Sequence, residues 1–111
     1  MMEKKGPSYL KVASVHDLAP GQGKLVIAHG KPMALFNVDG SFFAINYICP
    51  HMGGPLGEGK FVDKFVIECP WHKWTFDVRT GLPDHESGHS VAAYEVKVEG
   101  EDVLVGWLKK S

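Results

Sequence analysis

Cysteine is scarce in this chain, and no charge sign is in excess. Only Cys49 and Cys69 occur among 111 residues, and 12 Lys and Arg stand against 13 Asp and Glu, for a formal net charge of -1. Two cysteines are too few for a disulfide-built scaffold. Without a basic excess there is no electrostatic footprint for nucleic acid or an anionic membrane surface. Long apolar runs are also missing: nothing approaches the length that spans a bilayer, and the opening MMEKKGPSYL carries charges where a signal peptide needs an apolar stretch. The expectation is a soluble, cytoplasmic chain with neither nucleic-acid nor membrane partners. With 44% hydrophobic residues, positions 1–111 are expected to form one domain with a modest core that needs no disulfides.

Helical periodicity is absent too, apart from a possible turn at residues 14–18. The pattern is instead one of short β-branched or aromatic runs bounded by Gly, Pro or Asp, at residues 9–13, 24–28, 33–38, 42–46, 65–68, 75–78, 93–99 and 103–107. Asp39-Gly40 between two such runs predicts a tight hairpin, and Gly100-Glu101-Asp102 predicts a second. In the latter, Tyr94, Val96 and Val98 share one face while Glu95, Lys97 and Glu99 share the other, as in a half-buried antiparallel strand. With 13 Gly, 7 Pro and no internal repeat, the predicted class is all-β, an antiparallel sandwich or barrel. A smaller lobe is expected at about residues 46–83.

Both cysteines have a histidine close behind. Cys49-Pro50-His51 and Cys69-Pro70-Trp71-His72 each offer one thiolate and one imidazole within a turn. Structural zinc fingers usually group cysteine with cysteine and histidine with histidine. A cluster with two chemically different irons suits hybrid loops better, so CxH followed by CxxH points to a [2Fe-2S] cluster in which His₂ replaces Cys₂ on one iron. Two other readings use the same residues. A Cys49–Cys69 disulfide would require an oxidising compartment and leave the histidines without a role. A mononuclear zinc site matches the ligands in number, though not in order.

Residues 46–77, NYICPHMGGPLGEGKFVDKFVIECPWHKWTFD, resemble the Rieske family, and more closely its small soluble ferredoxins. Each cysteine is followed by proline, His51 by Met52-Gly53-Gly54-Pro55-Leu56, and His72 by Lys73-Trp74-Thr75-Phe76-Asp77. The resemblance implies one Rieske-type [2Fe-2S] cluster per chain, with Cys49 and Cys69 on the inner iron and His51 and His72 on the outer, solvent-facing one. It implies a Rieske-like fold whose lobe near residues 46–83 carries the cluster loops, and glycines in the first loop that let backbone amides approach the sulfurs. High-potential members carry an additional, disulfide-joined cysteine in each loop and serine and tyrosine hydroxyls that bond the sulfurs. Gly54, Trp71, Trp74 and Phe76 stand at those places here, which implies a low potential. The implied role is a one-electron carrier, itself no enzyme. It would act as a monomer between a flavin-containing ferredoxin reductase and a terminal non-haem iron oxygenase. The alternatives are the small Rieske-like subunit of an assimilatory nitrite reductase and, from another class, a zinc-binding interaction module.

Two motifs mislead. His85-Glu86-Ser87-Gly88-His89 matches the HExxH string of zinc proteases, but it lies in a polar segment with no apolar helical stripe, so a solvated loop is expected. Gly54-Pro55-Leu56-Gly57-Glu58-Gly59-Lys60 mimics a phosphate loop. There Phe61 stands where a magnesium-binding hydroxyl is needed, and Pro55 lacks the amide hydrogen for an anion cradle. Trp71, Trp74 and Phe76 are expected to pack the lobe, and His16 and His29 to lie on the surface. Met52, Lys73, Leu82 and Pro83 are expected to rim the cluster end.

Overall fold

The computed structural model describes residues 9–49, 53–71, 73–83 and 90–109. Among the described residues, nine strands build two antiparallel sheets: β1 (Leu10–Ser14), β2 (Gly23–Ala28), β3 (Lys31–Val38), β4 (Ser41–Asn46), β5 (Lys60–Asp63), β6 (Val66–Glu68), β7 (Thr75–Asp77), β8 (Ala93–Glu99) and β9 (Asp102–Leu108). The larger sheet runs β1-β9-β8-β4-β3-β2, and β1 touches β2 to bring it close to a barrel. The smaller sheet is β5-β6-β7. The class is all-β, as the strand pattern predicts. Among the described residues no helix is long and apolar enough to cross a membrane.

Alternation explains how the sheets stack. Along β3, Met33 and Leu35 point to one face with Ala44, Tyr94, Val103 and Val105, forming the barrel interior. Ala34 and Phe36 point to the other with Ile45 and Ala93, and there they meet Leu56, Ile67, Phe76 and Val78 of the small lobe. β3 is therefore buried on both faces and reads as a nearly continuous apolar run. Both cysteines belong to this second core.

Turn chemistry fixes the register. Asp39 and Gly40 both have positive φ, 52° and 92°, as a two-residue hairpin of type I′ requires, and Val38 faces Ser41. Ser14 caps the 3-10 turn Val15–Asp17: its hydroxyl accepts from the His16 amide at 3.2 Å, while Asp17 accepts from the Ser14 amide at 2.9 Å. Buried Asn37 has all four of its polar groups bonded. Its amide donates to the Gln22 carbonyl, its own carbonyl accepts from Gly21, Nδ2 donates to the Leu18 carbonyl and Oδ1 accepts from the Gly40 amide. Burial fades along β8, so that Val98 is exposed although its face is apolar in sequence. β4 pairs with β8 only at Ala93 and Tyr94, so the stretch of β8 that holds Val98 has β9 as its one sheet neighbour among the described residues, whereas β9 is paired by β1 as far as Asp102.

Candidate metal centre

The first cysteine loop leaves β4. Tyr94 donates from its hydroxyl to Asn46 Oδ1 at 2.8 Å, the Tyr47 amide donates to the Pro32 carbonyl at 3.2 Å, and the Leu56 amide returns to the Tyr47 carbonyl at 2.7 Å. The second loop joins β6 to β7, where Glu68 faces Thr75.

The two loops share one backbone turn. The Cys49 amide donates to the carbonyl five residues on, Gly54, at 2.8 Å, and the amide four residues on, Gly53, donates to the Cys49 carbonyl at 2.9 Å. The Cys69 amide likewise donates to the Trp74 carbonyl at 2.7 Å, and the Lys73 amide donates back to the Cys69 carbonyl at 3.0 Å. In each turn the fourth residue after cysteine has positive φ, 75° at Gly53 and 59° at Lys73. That conformation is open to glycine and costs lysine about 1 kcal/mol.

Both cysteines are thiols, not a disulfide, and both are buried. This sets aside the disulfide reading. The loops also touch: a Cβ built on Gly54 would stand 2.6 Å from Cys69 Sγ and 3.2 Å from Trp71 Cγ. Only a glycine lets the first loop lie against the second thiol. Two buried sulfurs on matched tight turns, with bare backbone pressed against one of them, fit a thiolate-held group. His51, His72, Pro50 and Met52 lie outside the described residues, as does the 85–89 motif. Among the described residues no three His, Cys, Asp or Glu gather at one point.

A third segment borders the site. The Asp77 amide donates to the Leu82 carbonyl at 2.9 Å, and Phe76 bridges to Pro83. Gly81, with φ 78°, has no room for a Cβ against the Val91 carbonyl. Leu82 and Lys73 are exposed. Within this segment Arg79 donates to both Asp77 oxygens, at 3.0 and 2.7 Å, with its guanidinium 4.0 Å from the Phe65 ring centre. These bonds hold the Asp77 carboxyl below its ordinary range. A lowered folded value stabilises the fold above the unfolded carboxylate pKa, and that contribution is lost as pH falls through the lowered value. Asp77→Asn is therefore expected to melt earlier at neutral pH and to show a shallower decline on acidification. Thermal melts between about pH 2 and 7 check this.

Other expected roles fall differently. Phe76 is fully buried and Trp74 packs partly against the same core, but Trp71 is 59% exposed, because its Cβ and Cγ rest on Gly54 and its ring extends outward. His16 is at the surface, whereas His29 stacks on Trp107 at 4.3 Å with its Nε2 buried. The glycine-rich run after Gly54 is packed rather than cradle-like. A Cβ on Gly57 would meet the Tyr47 ring, and one on Gly59 the Glu68 carbonyl. Sequence reasoning passed over Gly54's contact with Cys69 and the Asp77–Arg79 pair, whose only signal is a two-residue spacing after β7.

Residues 8–95 match the model of the Rieske [2Fe-2S] domain. The chain belongs to the Rieske family. It accordingly carries one Rieske-type [2Fe-2S] cluster. It is 37% identical over 103 residues to the biphenyl dioxygenase ferredoxin subunit of Pseudomonas sp. (strain KKS102), covering 92% of this chain and 94% of that one. A complex of reduced oxygenase and oxidized ferredoxin in carbazole 1,9a-dioxygenase contains a chain 35% identical to it, with a TM-score of 0.82 over 93% of this chain and 96% of the other. A Mycobacterium tuberculosis chain described as an NADH-dependent nitrite reductase small subunit superposes with a TM-score of 0.85 over 96% of this chain and all of the other, at 23% identity. That last likeness shows the fold alone.

Proposed function

We propose that this Rieske protein is a one-electron carrier, the ferredoxin component of a multicomponent oxygenase, and itself transforms no organic substrate. The observation that carries the reading is the pair of buried thiols on matched turns in a chain whose curated relative is a dioxygenase ferredoxin of nearly the same span. The bound [2Fe-2S] group supplies a one-electron couple. Cys49 and Cys69 hold its inner iron and His51 and His72 its outer one. The lobe of about residues 46–83 positions these ligands, and the surrounding core of Leu56, Ile67, Phe76 and Val78 keeps water from the sulfurs. A flavin-containing reductase supplies the electron and a terminal non-haem iron oxygenase receives it, in the cytoplasm, with the carrier acting as a monomer. The relatedness to the nitrite reductase subunit is more distant, and no observation favours that reading.

Purified protein is expected to be red-brown, with two irons and two acid-labile sulfides. One zinc and no visible absorption would leave only an interaction module. No cysteine beyond the two ligands is available for a loop-joining disulfide, so the potential is expected at the low end of the family range, on the order of -150 mV. Phe76 sits in the same buried core as both sulfurs. A hydroxyl placed there by Phe76→Tyr raises the potential if it bonds a ligand sulfur. About 1 kcal/mol in favour of the reduced state is roughly 40 mV for one electron. Protein-film voltammetry reads both values, and a wild-type potential near +300 mV would contradict the assignment.

A further inference from the structure

Lys73 holds a backbone conformation that suits glycine, and the matching position of the first turn is glycine, Gly53. Its side chain is exposed, so packing does not offset the strain. Nor does an ion pair: Lys11 pairs with Asp102, Lys64 with Asp39 and Lys97 with Glu99, but among the described residues no carboxylate pairs with Lys73. Glu58, Glu68, Lys60 and Pro70 line a hollow of about 280 Å³ beside it, and neither glutamate reaches it. What the side chain adds is an ammonium on a flexible stem, one residue after His72 in the chain and two after the exposed Trp71.

We infer that Lys73 supplies an ammonium at the electron exit and so favours a redox partner whose docking surface presents carboxylates. The inference rests on the electron-carrier reading above. A rim charge with no carboxylate partner among the described residues acts through long-range attraction, raising the rate of encounter with an oppositely charged surface, and salt weakens it. With it the hollow carries two carboxylates against the two ammonium groups of Lys60 and Lys73; removing it leaves two against one, so the local balance turns from even to negative.

Two small one-electron oxidants of opposite charge read this field: anionic hexacyanoferrate(III) and cationic tris(phenanthroline)cobalt(III). In each reaction one electron leaves the reduced protein, the oxidant's metal falls by one oxidation state, and no bond or proton need move. The measured quantity is the ratio of the two second-order rate constants, anionic over cationic, by stopped flow at low ionic strength with reduced holoprotein. Lys73→Gln is expected to lower it several-fold and Lys73→Glu further, while Lys73→Arg keeps it and added salt collapses the differences. Lys60→Gln, on the same hollow but away from the ligand turns, should move it less. Lys73→Gly should lower the ratio as far as Lys73→Gln does, yet raise the melting temperature, which separates lost charge from relieved strain. A ratio indifferent to Lys73→Glu, or moved as much by Lys60→Gln, overturns the inference while the carrier reading stands. A wild-type protein that assembles no iron-sulfur chromophore overturns the carrier reading and the inference with it.

Discussion

Serine in place of Cys49 or Cys69 is expected to give colourless protein with essentially no bound iron. Each thiol is buried in the core shared by the large sheet and the small lobe, and each is set by a turn that fixes its cysteine through both backbone groups. A hydroxyl there is a far weaker ligand than a thiolate, and no other cysteine exists to take its place. Alanine in place of His51 or His72 should also abolish the cluster, or leave a labile one with an altered spectrum. The contrast is His85→Ala with His89→Ala, which should retain full iron and electron transfer. Iron and sulfide analysis with visible circular dichroism measures all of these, and far-ultraviolet dichroism reports whether the sheets survive. Loss of iron in the 85/89 double variant would mean that the wrong histidines have been assigned.

Hairpins and core faces were legible where the local signal and the tertiary demand coincide. Asp39-Gly40 announces a type I′ turn because few residues tolerate two successive positive φ values. The class followed from the short apolar runs together with the many Gly and Pro residues that bound them. β5 was not legible: Lys60, Val62 and Asp63 are exposed, and only its pairing with β6 makes a strand of it. Pro32 hid the start of β3. It has no amide hydrogen, yet it pairs with Ile27 and gives its carbonyl to Tyr47. At the site, residue types pointed to four candidate ligands, but the shared turn was invisible, since backbone groups at the fourth and fifth residues after cysteine make it while the histidines fall at the second and third. Gly53 and Lys73 offer no common sequence mark. Trp71 was misread as lobe packing because its apolar bulk says nothing about the glycine beneath it, which leaves the ring no cover.

Two neighbouring glycines should respond differently to one added methyl group. At Gly54 the obstacle is steric: the new carbon would lie 2.6 Å from Cys69 Sγ and within 3.3 Å of both Trp71 carbons it meets. Ordinary contact is about 3.5–4.0 Å, so something must move by roughly 1 Å. Cys69 cannot yield easily, because its amide and carbonyl are bonded across the turn and its side chain is enclosed with Ile67 and Phe76. Gly54→Ala is therefore expected to displace the ligand sulfur, lower iron occupancy at least about tenfold, and cost the fold roughly 1–3 kcal/mol. At Gly53 there is space, the nearest atom being Ile48 Cγ2 at 3.9 Å, but φ is 75°. Gly53→Ala should cost about 1–2 kcal/mol of backbone strain, lowering the melting temperature by roughly 4–8 °C per kcal/mol, while the cluster assembles with an unchanged spectrum. Lys73 already shows that the equivalent turn accepts a side chain at this position. Iron content and thermal melts of the two variants, measured side by side, decide between steric and conformational loss; full iron and an unaltered spectrum in Gly54→Ala would show that the Cys69 thiol does not face the first loop in the loaded protein.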